Sequence, residues 1–359
     1  MKETNKPVTI TDIAAKAKVS IGTVDRVLHK RGRVATDVEK NILRIIKETD
    51  YQPNIIARAL VSKKHYTIAV LIPDPSFGSY WFDAKQGIEK VAKTLKKYGL
   101  TVKYYLFNPD KSESFTEQAN VLSKNNYDAI ILTPIFHNEV SPFSELWKKA
   151  EIPHVFFNNE IPDYQPLSYI GQDNYQSGHL AGKLIHYGLT SPCSILMVHF
   201  NPKITNAAHL EIKEKGFRNY FTQNNLQQFD LLKLEISDEY KPTFIKQMDN
   251  VFQTNPNIKA VFVTNGKVYN VAEYLSQKYL SDVKVVGYDL LPQNLHYLKQ
   301  NSISFLINQN PKGQGSAALQ LLADRLIFQK PIPQLKYLPL DIITKENANY
   351  FVHSDAPVI

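Results

Sequence analysis

The chain has 359 residues and an ordinary 43% of hydrophobic side chains, enough for two or three folding units. It contains no run of about 18 apolar residues, which excludes a membrane-spanning helix, and the polar start Met1–Pro7 lacks the apolar core of an export signal, so a cytoplasmic protein is expected. The net charge of +8 is unevenly spread: residues 1–65 hold fourteen Lys or Arg against seven Asp or Glu, so nearly the whole excess sits in the first sixth of the chain. A basic module on a near-neutral body is the footprint of a nucleic-acid reader carrying a second domain.

In chain order, Thr11 is placed to cap a short helix over Asp12–Ala17, with Asp12 near its positive end. Lys18-Val19 forms a tight turn. Ser20 caps a second helix running through Leu28, in which Val24, Val27 and Leu28 form a buried stripe. Ile21, Gly22, Asp25, Arg26 and His29 are left on the other faces. A third helix spans about 36–49, with Val38, Ile42, Ile45 and Ile46 as its apolar side. Three short helices with a basic exterior describe a helix-turn-helix module. Arg26 can set its planar fork against the O6 and N7 of a guanine, and Asp25 can accept from a cytosine amino group or orient Arg26.

From Tyr66 strands and helices alternate. Strand-like runs lie at 67–72, 102–106, 129–132 and 153–157, with helices expected at 82–98, 113–125 and 141–150. The rhythm restarts at 194–198 and continues through 260–263 and 283–287. Continuous apolar strands separated by helices predict parallel sheets covered on both faces, in two lobes with a cleft beyond the strands' carboxyl ends. Polar and aromatic residues gather at those ends: Phe77, Tyr80 and Trp81 after the first strand, Asn158 and Asn159 after the fourth, Gln172-Asp173-Asn174 near a crossover, then Asn265, Asp289 and Gln309. Rings stack on the apolar faces of a sugar while amides and an acid pair with its hydroxyls, so this set suits a polyhydroxylated ligand.

The stretch Val8–Ala14, followed by Val19–Leu28 and later by Tyr51–Leu60, resembles the head of the lactose-repressor family. The resemblance implies that the second helix enters the major groove, with Ile21, Gly22, Asp25 and Arg26 at base edges. Thr9, Ser20, Thr23 and Asn54 would be phosphate contacts or caps. It further implies a hinge helix holding Ala57 that forms on operator DNA, with Leu60 wedged into the minor groove. Gly22 departs from the polar side chain that many relatives carry there, leaving only shape or close approach at that position.

The body resembles the periplasmic sugar-binding fold that this family carries behind its head, on Gly171–Gly178, Val286–Asp289 and Ile307–Pro311. The implied organisation is a head at 1–52, a hinge and linker at 53–65, and an effector domain at 66–359. Its N-lobe would take 66–166 and 310–337, and its C-lobe 167–309 and 338–359. Two departures stand out. Asn158-Asn159 occupies a place where sugar-binding relatives often have Asp-Arg, and 209–217 lacks an arginine that many have, with Lys213 or Glu211 as substitutes. Partners expected from the resemblance are a pseudo-palindromic operator, a small-molecule effector and a second copy in a homodimer, since no leucine-heptad tail follows residue 345.

Other functions find less support. Gly313-Gln314-Gly315-Ser316-Ala317-Ala318 fits a dinucleotide pattern but lacks the acid about 20 residues on, which leaves helix-start glycines. A single cysteine, Cys193, and ten histidines without ligand spacing predict no metal and no cofactor. No catalytic constellation argues for an enzyme. The transporter solute-binding protein that the body alone would suggest is opposed by the basic head.

Overall fold

The computed structural model describes residues 8–51, 59–60, 64–161, 164–200, 208–237 and 240–352, without the side chains of Phe77, Ser79 and Val352. The chain divides into two units, Met1–Ser62 and Lys63–Ile359.

In the first unit three helices, α1 (Ile10–Ala17), α2 (Ile21–Leu28) and α3 (Thr36–Glu48), enclose a core of Ile13, Ala14, Ala17, Val24, Val27, Ile42 and Ile45. The cap of α1 is Thr9, not Thr11. Thr9 and Asp12 form a reciprocal capping box, in which Asp12 N–H donates to the Thr9 hydroxyl and Thr9 N–H donates to the Asp12 carboxylate at 2.8 Å. Two hydroxyls stand near Asp12, and the one three residues before it satisfies both orphan donors. Lys18 ends α1 in the left-handed region, and Ser20 caps α2 by accepting from Thr23 N–H.

The second unit contains two six-stranded sheets. The first, in the order β11-β5-β4-β3-β1-β2, comprises β1 (Tyr66–Pro73), β2 (Leu100–Phe107), β3 (Ala129–Leu132), β4 (His154–Phe157), β5 (Ser168–Gly171) and β11 (Leu335–Tyr337). The second, in the order β12-β10-β9-β8-β6-β7, comprises β6 (Ser194–Phe200), β7 (Asp230–Ile236), β8 (Ile258–Val263), β9 (Lys284–Tyr288), β10 (Phe305–Asn308) and β12 (Asp341–Ile343). All pairings are parallel except β10 with β12. The central strands are buried along both faces, which is why they read as unbroken apolar runs.

Two sequence expectations are corrected here. The N-lobe does not stop at 166: β5 pairs with β4, Val155 opposite Ser168, so the first crossover falls after Gly171. A four-residue strand defined by its pairing leaves little pattern to read. The helix expected at 141–150 is α6 and begins four residues earlier, with the helices between being α4 (Ser79–Leu95) and α5 (Ser112–Ser123) and α6 running His137–Lys149. Pro142 therefore sits inside α6 rather than in its first turn, one lost hydrogen bond near the amino end being tolerated there.

The chain continues through α7 (Asn174–Tyr187), α8 (Ala208–Gln223), α9 (Lys241–Thr254), α10 (Val268–Gln277), α11 (Pro292–Lys299), α12 (Pro311–Leu326) and α13 (Ala348–Val352). Each lobe brings two helices into backbone contact through a pair of glycines. A side chain at Gly87 or Gly315 would collide with backbone carbonyls across the α4–α12 contact, and one at Gly178 or Gly216 would do so across α7–α8. Gly315 is thus a packing residue, in keeping with a helix start rather than a dinucleotide loop.

Candidate functional sites in the head and the body

In the head, α2 turns Val24 and Val27 inward and leaves Ile21 (48% exposed), Gly22 and Arg26 facing outward. Arg26 makes no ion pair among the described residues, so its guanidinium is available. His29 Nδ1, one turn along the same face, lies 3.0 Å from the Asp25 carbonyl oxygen and 3.1 Å from its half-exposed carboxylate. The hydroxyls of Ser20 and Thr23 bond each other at 3.0 Å. Thr9 and Ser20 are therefore caps whose oxygens are already engaged. Leu60 is 50% exposed while its neighbour Ala59 is buried. Asn54 and Ala57 lie outside the described residues.

In the body, the polar residues at the strand ends converge. Asn158 and Asp289 follow β4 and β9 at matching places, both in the left-handed region at φ 69°. Each donates its N–H to the next strand, Asn158 to Ile170 O at 2.9 Å and Asp289 to Ile307 O at 3.1 Å. Asn and Asp are the side-chain-bearing residues that tolerate this conformation best, and residues held there gather at ligand sites.

From these two positions a continuous network runs between the lobes. Asn158 Nδ2 donates to the Tyr80 hydroxyl, and Gln314 Nε2 approaches the same oxygen at 3.4 Å while donating to Gln309 O at 2.7 Å. Gln309 Nε2 in turn donates to both oxygens of Asp289, at 3.0 and 2.9 Å. Lys213, from α8, points its ammonium over the Tyr288 ring at 3.8 Å and donates to Thr264 O at 3.3 Å.

Lys213 and Asp289 are both buried, and each charge acts on the other. Burial pushes Asp289 up to about 6 against the pull of Lys213 and Gln309. Burial likewise brings Lys213 down to about 8, with Asp289 opposing. A desolvated acid and base held ready for hydrogen bonding is an arrangement that a polar ligand can exploit.

Several of the expected residues also have contacts within the scaffold. Asn265 donates to Phe200 O at 3.4 Å and accepts from Lys267 N–H at 3.1 Å, so its amide caps the loop after β8. Gln172 donates to Asn308 O and Pro339 O, bridging all three crossovers between the lobes. Trp81 packs against the first lobe's apolar cluster and meets Tyr80 edge-on at 4.8 Å. Asn159 is buried beside Asn158. Phe77 lies in the turn Pro75–Phe77, and its side chain is outside the described set.

Sequence reasoning missed Asn294 and Gln314. The fully buried Asn294 donates to Gly266 O, Tyr288 O and Asp289 O and accepts from Tyr269 N–H, fixing the loop that carries Asp289. A buried asparagine in a helix's first turns is the only sign of it in the sequence.

A helix-turn-helix head with an exposed arginine, followed by a two-lobed body with a buried polar cleft, defines a ligand-responsive DNA-binding regulator. Residues 9–54 match the model of bacterial regulatory proteins of the lacI family, and residues 68–330 match the periplasmic binding protein domain. The chain belongs to the lacI family of transcription regulators that carry this domain, a family of regulators rather than of enzymes. It is 27% identical over 345 residues to the ribose operon repressor of Halalkalibacterium halodurans, spanning 94% of this chain and 96% of that one. It is 25% identical to the transcriptional regulator MalR of Streptococcus pneumoniae, over 89% of this chain and 99% of that one.

Among solved structures, a protein from Bacteroides fragilis assigned as a LacI transcriptional regulator superposes with a TM-score of 0.74 at 29% identity, covering 80% of this chain and 99% of that one. GanP, a glucose-galactose binding protein from Geobacillus stearothermophilus, shares the fold at a TM-score of 0.69 and 21% identity, over 79% of this chain and 99% of that one. No helix among the described residues is long and apolar enough to cross a membrane.

Proposed function

We propose that this protein binds a pseudo-palindromic operator as a homodimer in the cytoplasm and represses transcription under the control of a sugar or sugar derivative. The observation that carries the reading is the polar network of Asn158, Tyr80, Gln314, Gln309, Asp289 and Lys213, drawn from both lobes of the body. Its three amides, phenol, acid and ammonium complement a ring rich in hydroxyls, and Tyr80 with Trp81 offers aromatic edges and faces. The name of one relative, the ribose operon repressor, agrees with a carbohydrate effector.

In the head, Arg26 would read a guanine from the major groove, and Ile21 and Gly22 would approach the neighbouring bases. Thr9, Ser20, Thr23 and Asn54 would border the phosphates, while Ala57 and Leu60 would belong to a hinge element in the minor groove. A ligand that binds two arrangements of the lobes unequally, by roughly 1–3 kcal/mol, would change operator affinity 5–150-fold.

The test is a thermal-shift screen of monosaccharides, sugar acids and short oligosaccharides, followed by operator binding with each hit. A hit that changes operator affinity supports the reading and gives the direction of control. A sugar that stabilises the protein but leaves DNA binding unaltered would instead favour the transport-type role of a binding protein. No stabilisation by any sugar would overturn the effector assignment.

A further inference from the structure

The first lobe carries a basic surface that the cleft and its network do not use, at the point where the chain enters the body. Tyr66 opens β1 there and is held by the ends of two helices. Its N–H donates to Gly99 O at 2.9 Å, past α4 and the single turn Lys96–Tyr98 that extends it. Its hydroxyl donates to the carbonyl of Leu326, the last residue of α12, at 3.0 Å. Gly99 stands at φ 78°, and a side chain on it would collide with Lys64 O, so the entering chain runs directly over the end of α4. One residue before Gly99, Tyr98 meets the ring of Phe328 edge-on at 5.2 Å. All three rings are buried.

A lysine lies over each ring. Lys64 Nζ is 4.7 Å from the centre of Tyr66, Lys97 Nζ 5.1 Å from that of Tyr98, and Lys330 Nζ 5.5 Å from that of Phe328. The stems rest on aromatic surface while the ammonium groups stay in water, so three charges are held close together at little further entropic cost. Lys93, Lys96 and Arg325 are exposed beside them. Acids are few at this end. From Lys90 to Pro109 the sequence has five lysines and no Asp or Glu. Asp324 lies 3.6 Å from Lys330, and Asp128 accepts from Thr67 N–H at 2.8 Å. Lys93, Lys96 and Lys97 make no ion pair among the described residues.

A lysine at a helix end answers the negative end of the helix dipole, which by itself would favour a base there. The second lobe shows that the dipole does not require one: α8, α9 and α10 end with no basic residue in the last turn. Lys64 and Lys330, moreover, lie outside both helices. Several ammonium groups gathered on one face, with few acids among them, fit a surface of closely spaced anions, and the chain that enters at this face comes from the DNA-binding head. We propose that this end of the first lobe, centred on Lys93, Lys96 and Lys97, is a second DNA-contacting surface, adding sequence-independent phosphate contacts to those of the head. This rests on the operator reading above.

Salt titration of DNA binding by the full chain tests it, with an operator recovered by selection and a random duplex as the two probes. Each phosphate contact adds about 0.9 to the slope of log affinity against log salt. The variant Lys93→Gln/Lys96→Gln/Lys97→Gln should make that slope shallower by about 1–3 on both duplexes and weaken binding about 10-fold or more at about 0.1 M salt. Its preference for operator over random DNA should be unchanged. A charge control on exposed lysines of the second lobe, Lys183→Gln/Lys259→Gln/Lys299→Gln, removes the same net charge and should keep the wild-type slope. Thermal unfolding checks that both variants are folded, and Lys96→Glu alone, at an exposed position, should weaken both duplexes if the triple variant does not fold. An unchanged slope in the patch variant would overturn the proposal and leave the basic face to an acidic protein partner. Equal losses in the patch and control variants would reduce the effect to net charge and overturn it as well. Selection that recovers no operator would instead overturn the reading on which the proposal rests.

Discussion

Effector affinity should be flat between about pH 6 and 8 and fall on either side, because the cleft needs Asp289 ionised and Lys213 charged. Asp289 titrates near 6 and Lys213 near 8 in the folded body. A protonated Asp289 no longer accepts two hydrogen bonds from sugar hydroxyls, so each pH unit below about 6 should weaken binding roughly 10-fold. Loss of the Lys213 charge produces the corresponding fall above 8. Asp289→Asn should lower affinity at pH 7 by roughly 10- to 100-fold, the value of one charge-assisted hydrogen bond, and abolish the acid limb.

The same shifts act with the opposite sense on the stability of the free protein. Asp289 is raised from 3.8, so its burial penalty is absent below that value, grows as pH rises through about 6 and persists above. Lys213 is lowered from 10.5, so its penalty is absent above that value, grows as pH falls through about 8 and persists below. Both penalties are therefore in force in the window where the ligand binds best. Calorimetry from pH 5 to 9, with any ionisation of the ligand titrated separately, is the measurement. Affinity unchanged from pH 7 to 5, or an acid limb surviving in Asp289→Asn, would refute the assignment of Asp289 as the hydroxyl acceptor.

In the head, Arg26→Ala should cost about 1–3 kcal/mol of operator binding and relax preference at one symmetric base pair, measured by binding to a panel of operator variants. Leu60→Ala should lower operator affinity and DNA bending without changing effector binding, because Leu60 is half exposed and its truncation removes an apolar wedge rather than core; energy-transfer measurement of the bend checks it. Gly178→Ala should push α8 away from α7, since the added methyl collides with Lys213 O. It should destabilise the body by about 1–3 kcal/mol and weaken effector binding by displacing Lys213, read by thermal unfolding and calorimetry.

The head was legible almost to the residue because its helices are short, capped and amphipathic. Val24, Val27, Ile42 and Ile45 announce the buried side, and Ser20 announces the start of α2. The single slip, Thr11 for Thr9, arose because both hydroxyls lie close to Asp12 and only the backbone decides which one closes the capping box. In the body, long central strands were equally plain, while β5, β11 and β12 are three or four residues long and exist through their pairing. The edge strand β7 alternates in burial and has one neighbour, so it lacked the unbroken apolar run used to find the others.

The candidate site shows where pattern reading stops. Parallel topology brings every strand's carboxyl end to one rim, so a polar residue at such an end is a fair candidate for the cleft, and Asn158, Asp289 and Gln309 met there. Whether an amide is free for a ligand depends on the loop beyond it. Asn265 and Asp289 follow neighbouring strands, yet the Asn265 amide ties its own loop to the end of β6, whereas the loop of Asp289 is held by Asn294. Position in the topology thus nominates a residue, and the presence of a second side chain to support the backbone leaves it free to act. The close α7–α8 contact through Gly178 and Gly216 holds α8 in place, and Lys213 reaches the ring of Tyr288 and the charge of Asp289 from a fixed helix.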